Sequence, residues 1–264
     1  MKLSICGVSY SDFVWNITHG CHKHSPGCND CWAEAQESHY HPDVNFGETW
    51  LRYDKLHQPL GVTDEVSCFI DDTSDLFYEG EADPNKRGVP DSFIDKALDV
   101  VELTPTISYL TLTKRVERAK NYFMNHHIPS NLFVGYSICT KAEVKNIDIL
   151  RQIPTENKWI SFEPLLDDVA SVDGFSLEGI KVAIVGGEQV HGKTSRKMEK
   201  QWVLNIKKAC ERDGCLFYFK QWGDWSEVGE HKNTKANGHL IDGVAYRQLP
   251  WPNEEQQSNS FKNF

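Results

Sequence analysis

"ISYLTLTKRVERAKNYFMNHHIPSNLFVGYSI", residues 107–138, decides the fold class. Residues 107–112 form a run rich in β-branched, aromatic and aliphatic side chains. Residues 114–126 place apolar side chains at three- and four-residue spacing, and 132–138 is a second apolar run. A strand, a helix and a strand with short connections make a βαβ unit, and near-continuous apolar strands are those buried on both faces. The pattern repeats on either side. It predicts strands at 12–17, 66–70, 158–163, 181–186 and 215–219, and helices at 91–103, 142–152 and 198–213, with the other connections helical as well. Seven strands alternating with helices define an α/β fold with a parallel sheet. Both a partial or closed (βα) barrel of the TIM type and an open doubly wound sheet satisfy the pattern; the strand count favours the barrel.

The chain has 264 residues, 39% of them hydrophobic and 11% aromatic, enough for a sizeable core. No internal repeat or Gly/Ser linker divides it, so 1–264 reads as a single domain. An irregular insertion is expected at 36–65, with Pro42, Pro59 and Gly61, and a polar tail at 226–264 that frays over "NEEQQSNSFKNF". No run of eighteen apolar residues is present, and "MKLSICGVSYSDF" lacks the basic and apolar regions of a secretory signal. The expectation is a cytoplasmic protein without a membrane span. With 28 basic against 38 acidic residues the net charge is -10, so no global basic field draws in nucleic acid. A local groove around "LTKRVERAKNY" is the candidate for that role, and a solvated helix face explains it equally well.

In parallel α/β folds, functional groups collect where the strands end, because loops there vary without disturbing the core. The strand ends of this chain are consistently polar: Asp71, Asp72, Ser74 and Asp75 after the second, Lys114 and Arg115 after the third, Ser137 at the fourth, and Glu163 at the fifth. Gly186, Gly187 and Glu188 follow the sixth, and Lys220 and Trp222 the seventh. Such groups beside apolar strands are costly unless partnered or used, and together they predict one site. Individually, Ser74 or Asp75 also reads as a helix cap, Glu163 with Lys220 as an ion pair, and Trp222 as packing.

The first strand runs into "THGCHKHSPGCNDCWAEA", residues 18–35, where Cys21, Cys28 and Cys31 have the spacing C-x6-C-x2-C. Two residues between thiolates let both reach one centre, which points to metal. A disulfide framework would leave one thiol over and conflicts with a reducing compartment. The other cysteines, Cys6, Cys68, Cys139, Cys210 and Cys215, read as ordinary small core residues. The spacing itself fits zinc, with His19, His22, His24, His39 or His41 as fourth ligand, as well as it fits iron and sulfur. Position and number tilt the choice, since three thiolates at a barrel mouth leave one iron of a 4Fe-4S cluster open.

The segments "WNITHGCHKHSPGCNDCWAEA", "DDTSDLF", "LTKRVERA", "NLFVGYSI", "WISFEPLLDDV", "VAIVGGE" and "FYFKQWGDW" resemble, in order and spacing over residues 12–252, the phage Gp37/Gp68-like family, also called the DUF5131 or three-Cys-motif family. That family looks like a divergent branch of the radical S-adenosylmethionine superfamily. The resemblance implies a 4Fe-4S cluster on Cys21, Cys28 and Cys31, with S-adenosylmethionine on the open iron and a 5'-deoxyadenosyl radical as the reactive species. It implies a reductant such as flavodoxin or ferredoxin, a three-Cys-motif partner protein, and a bacterial or phage-infected host cell. Glu163, Glu188 and Lys220 then become the candidate catalytic groups. Lys114, Arg115 and Lys220 suit carboxylate or phosphate recognition, and Asp71, Asp72, Ser74, Asp75, Ser137, Gly186, Gly187 and Trp222 suit cofactor binding. A nucleotide, nucleobase or nucleic acid is the expected substrate, for modification or repair. Trp32 stands where the family usually has tyrosine, Arg196 replaces its usual arginine, and Asp30 precedes the last cysteine where the wider superfamily often has an aromatic residue. The runner-up is a non-enzymatic Cys3His zinc protein that recognises a partner. A hydrolase using Glu163 or Glu188 lacks any supporting nucleophile elbow, phosphate loop or zinc-peptidase motif.

The two metal readings part on single substitutions. Cys28→Ala should abolish iron binding measured by metal analysis, whereas His24→Ala and His41→Ala should leave it intact; loss of metal in a histidine variant points to zinc.

Overall fold

A computed structural model of the chain describes residues 3–40, 43, 45–80, 87–190 and 195–253. His41, a zinc ligand in the alternative reading, and the end of the tail from residue 254 lie outside them. Eight strands form one sheet in chain order: β1 (Ser4–Ile5), β2 (Phe13–Trp15), β3 (Val66–Ile70), β4 (Ile107–Thr113), β5 (Leu132–Ser137), β6 (Lys158–Phe162), β7 (Val182–Gly186) and β8 (Leu216–Gln221). From β2 to β8 every neighbour is parallel, while β1 runs antiparallel to β2. The seven expected strands are all present. β1 is an addition, two exposed residues too short to carry a hydrophobic period.

Helix α1 (Trp32–Tyr40) follows the cysteine loop, and α2 (Asp91–Leu103), α3 (Val116–Phe123), α4 (Ile147–Arg151) and α5 (Lys200–Asp213) cover the outer face. In α2 the buried residues Phe93, Ile94, Ala97, Leu98, Val100 and Val101 form one stripe at helical spacing, and it packs on the sheet. Two expected helices are weaker than the pattern suggested. Only α4, preceded by a 3-10 segment at Lys141–Asn146, fills 142–152. The β6–β7 connection holds no α-helix, only the 3-10 turn Val169–Ser171, because Pro164, Gly174 and Gly179 interrupt it. Within the stretch read as an insertion, Trp50–Leu51 pairs antiparallel with Thr18–His19, and Lys55 O accepts from Trp15 Nε1 at 2.8 Å.

The inner face follows from strand periodicity, since residues two apart share a face. Phe69, Leu110, Phe133, Trp159, Ile184 and Tyr218, one from each of β3 to β8, meet in a second core cluster, together with Tyr10 from the β1–β2 loop and Trp251 from the tail. A flat sheet would set β3 and β8 about 24 Å apart. The Tyr10 ring nevertheless lies 6.1 Å from Phe69 on β3, 6.0 Å from Trp159 on β6 and 5.9 Å from Tyr218 on β8. The sheet is therefore strongly curved around that ring. Gly135 makes room for the neighbouring Trp159 indole, which a Cβ there would approach within 2.3 Å.

No strand pairing joins β8 to β1 or β2 among the described residues. The seam is filled by side chains instead. Tyr218 Oη donates to Ser9 O at 3.0 Å, Arg247 Nη1 donates to Ser9 Oγ at 2.9 Å, and Trp251 Nε1 donates to Tyr10 O at 2.9 Å. The polar stretch from 226 supplies part of this seam. Up to residue 253 it is structured: Tyr246 O accepts from Phe219 N at 2.8 Å, and Trp251 is 4% exposed. Its polar composition hid the aromatic residues that return to the core. No helix of the described residues is long and apolar enough to cross a membrane.

Trp251→Ala should cost about 3–5 kcal/mol, the range for emptying a buried large aromatic site. Urea unfolding monitored by circular dichroism measures it; a loss below about 1 kcal/mol would mean the seam does not depend on this side chain.

Candidate functional site

Continuing four of the inner rows by two or four residues turns an aromatic floor into a polar rim. Phe69 leads to Asp71, Phe133 through Gly135 to Ser137, Trp159 to Ser161 and then Glu163, and Tyr218 to Lys220. On β8 the pairing register slips between Phe219 and Gln221, and this irregularity lets both Lys220 and Gln221 face the same space. The space is a cavity of about 980 Å³ at the carboxyl ends of the strands. Cys21, Cys28 and Cys31 line it, as do Asp71, Asp72, Ser74, Asp75, Lys114, Arg115, Ser137, Glu163, Gly187, Glu188 and Lys220.

Three acidic residues fix the cysteine loop. Asp71 adopts φ 57°, a left-handed conformation uncommon for a residue with a side chain. Its buried carboxylate accepts from Ile17 N at 2.8 Å, Thr18 N at 2.9 Å and Thr18 Oγ1 at 2.9 Å, which holds the start of the loop. Asp75 accepts from Thr113 Oγ1 at 2.8 Å and pairs with Arg115 Nη1 at 2.8 Å, and Arg115 Nη2 donates to His22 O at 3.0 Å. Glu188 binds the guanidinium of Arg196, whose Nη1 donates to Pro26 O at 3.0 Å. The loop is thus tied at its start, at His22 and at Pro26, by groups from β3, β4 and β7. Beside it, Gly27 packs on the buried thiol of Cys139.

Burial is the main reason the Cys21 thiol is pushed up to about 12; Asp75 raises it further and Arg115 opposes. Burial alone would lower Lys114, but the thiols of Cys139, Cys28 and Cys31 and the Asp75 carboxylate outweigh it and the ammonium is held above its ordinary range. Among the described residues, no three His, Cys, Asp or Glu side chains are gathered closely enough to hold a metal ion.

Deeper in the cavity, Lys220 Nζ lies 2.7 Å from Glu163 Oε1. Glu163 Oε2 accepts from Ser161 Oγ at 3.0 Å and from Tyr10 Oη at 3.3 Å, and Ser137 Oγ donates to Glu163 O at 3.3 Å. Gly186 stands directly behind this carboxylate, where a Cβ would come within 2.8 Å of Glu163 Oε1. Asp72 accepts from Asn16 Nδ2 at 2.9 Å, and Ser74 Oγ lies 2.5 Å from Thr18 Oγ1. Trp222 does not line the cavity. It is 1% exposed, packs on Phe219 and donates through Nε1 to Leu240 O at 2.8 Å. Tyr10 went unnoticed in the sequence because "SYSD" has neither period nor motif. The Arg196 partnership with Glu188 was equally hidden, although the eight-residue spacing placed both near one strand end.

A family model described as a protein of unknown function, DUF5131, matches residues 6–250. No curated protein and no solved structure matches the chain.

Burial, the largest cause, pushes the Asp71 carboxyl up to about 7, against the donors from Thr18 and Ile17. A group that binds its proton more tightly when folded loses stabilising effect as pH rises between its unfolded and folded values. The native chain should therefore lose stability from about pH 4 to about pH 7 through this group. Asp71→Asn should flatten that slope in urea midpoints measured across the window; an unchanged slope would show that Asp71 is ionised throughout.

Proposed function

The chain belongs to the DUF5131 family, and we propose that it is a radical S-adenosylmethionine-type enzyme whose curved sheet is a partial (βα) barrel with the reaction at its mouth. One observation carries the reading: Cys21, Cys28 and Cys31 line a single cavity together with the polar ends of β3 to β8. A preformed zinc site, with Zn–S distances of about 2.3 Å, draws its donors around one point, and the described residues hold no such group. Three thiols lining one wide cavity suit a 4Fe-4S cluster better. When bound, the cluster and S-adenosylmethionine would supply one-electron reductive cleavage of a carbon–sulfur bond.

The chain's own residues bind, orient and exclude water. Lys114 lines the cavity and makes no ion pair among the described residues, which suits it to a carboxylate or phosphate of a ligand. Asp72 receives a single side-chain bond, from Asn16, and keeps acceptor capacity for an amine or a ribose hydroxyl. Glu163 sits between Lys220, Ser161 and Tyr10 and is the carboxylate placed to take or return a proton at Oε1 or Oε2. Trp32, 45% exposed at the rim, offers a face to a base. The aromatic floor keeps water from entering below. A small anionic substrate, a nucleotide or nucleobase derivative, fits a local cation in a chain of net charge -10 better than a nucleic-acid polymer does. A flavodoxin or ferredoxin is the proposed electron donor.

Anaerobic expression with iron and sulfide, followed by metal analysis and electron paramagnetic resonance of the reduced protein, tests this. About four irons per chain and a spectrum that changes on adding S-adenosylmethionine are expected. One zinc and no iron would overturn the proposal and favour the partner-recognition reading.

A further inference from the structure

Arg115 has the chemistry of a ligand-binding cation, but both of its terminal nitrogens already bond within the protein. It is 8% exposed. Nη1 donates to Asp75 Oδ2 at 2.8 Å and points also at Cys21 Sγ, 3.9 Å away, and Nη2 donates to His22 O at 3.0 Å. The guanidinium carbon lies 4.9 Å over the Tyr78 ring, on which the His22 imidazole also stacks at 5.2 Å. Asp75 is itself pinned by Thr113 Oγ1, by Phe77 N at 3.0 Å and by Lys114 N at 3.3 Å. The guanidinium is therefore fixed at its edge and on its face, and the one charge is shared between a carboxylate and a cysteine sulfur.

We infer that Arg115 is a positioning residue that tunes the electron affinity of the centre held by Cys21, with Asp75 as the opposing charge. The inference rests on the reading of the three cysteines as ligands of an iron–sulfur cluster. Reduction adds one negative charge to such a centre, and an N–H donor on a ligating sulfur stabilises that charge. A buried donor acts with little screening by salt. Asp75 does the reverse: its negative charge lies on the same guanidinium and disfavours the added electron. The two residues should move the reduction potential in opposite directions, which simple loosening of the loop would not do.

The experiment is a midpoint determination, followed by electron paramagnetic resonance, on reconstituted native protein and on Arg115→Gln, Arg115→Lys and Asp75→Asn. Arg115→Gln should shift the reduction equilibrium at least about tenfold toward the oxidised form, about 59 mV for one electron. Arg115→Lys should fall between that and the native value, and Asp75→Asn should shift toward the reduced form. An unshifted midpoint in Arg115→Gln at full iron content overturns the inference, as do shifts of the same sign in Arg115→Gln and Asp75→Asn. Should Arg115→Gln hold no iron, Arg115→Lys and Asp75→Asn decide: shifts in the stated directions support the inference, and two native midpoints overturn it. A native protein that takes up no iron–sulfur cluster fails the underlying reading instead, and this inference falls with it.

Discussion

The burial of one phenol ring sets the geometry of the whole inner face. Tyr10 touches rings from β3, β6 and β8, and a parallel sheet can present those three strands to one side chain only by bending strongly. The bend concentrates the carboxyl ends of β3 to β8 on a common rim. Because each strand alternates faces, the rim residues lie two or four positions beyond the aromatic floor, and apolar core and polar cavity follow one periodicity. The same tyrosine connects the two layers, with its ring in the floor and its hydroxyl on Glu163.

Much of the charge at the rim serves the architecture. Asp71 holds backbone, Asp75 holds Arg115, Glu188 holds Arg196, and Glu163 holds Lys220. A buried charge deprived of its partner costs several kcal/mol, typically about 3–5, so the Asp75–Arg115 pair, 7% exposed on each side, resists being opened. Two of these pairs reach the cysteine loop through an arginine, one at His22 and one at Pro26. A loop of glycine, proline and polar residues has little apolar surface with which to hold itself in place, and these guanidinium contacts replace it. Among the described rim groups, the thiols, Lys114, part of Asp72 and the indole of Trp32 remain open to a ligand, and Glu163 stays on the cavity wall beside Lys220.

The βαβ periodicity made seven strands and most of the helices readable from residues 107–138 outward, and the convergence of the strand ends followed from topology. Membership of the family rested on extended motifs and was readable too. What escaped had no local signal. Tyr10 and Trp251 are single aromatics in polar surroundings, and their importance depends on where the sheet bends. Trp222 sits beside the rim groups in sequence, yet the backbone there turns it into the core. Glu188 looked like a free acid because the arginine that occupies it follows a loop, and pairings across loops have no period.

The seam between β8 and the β1–β2 loop joins residues far apart along the chain: Trp251 bonds Tyr10 across 241 positions, and Arg247 bonds Ser9 across 238. Contacts of such sequence separation are slow to form, because the loop they close is nearly the length of the domain. During synthesis the strands β2 to β8 can pair as they emerge, but the interior stays uncapped until residue 251 has left the ribosome. The thiol-lined mouth therefore acquires its final shape late, at the end of folding, when the nascent chain has already passed its most exposed stage.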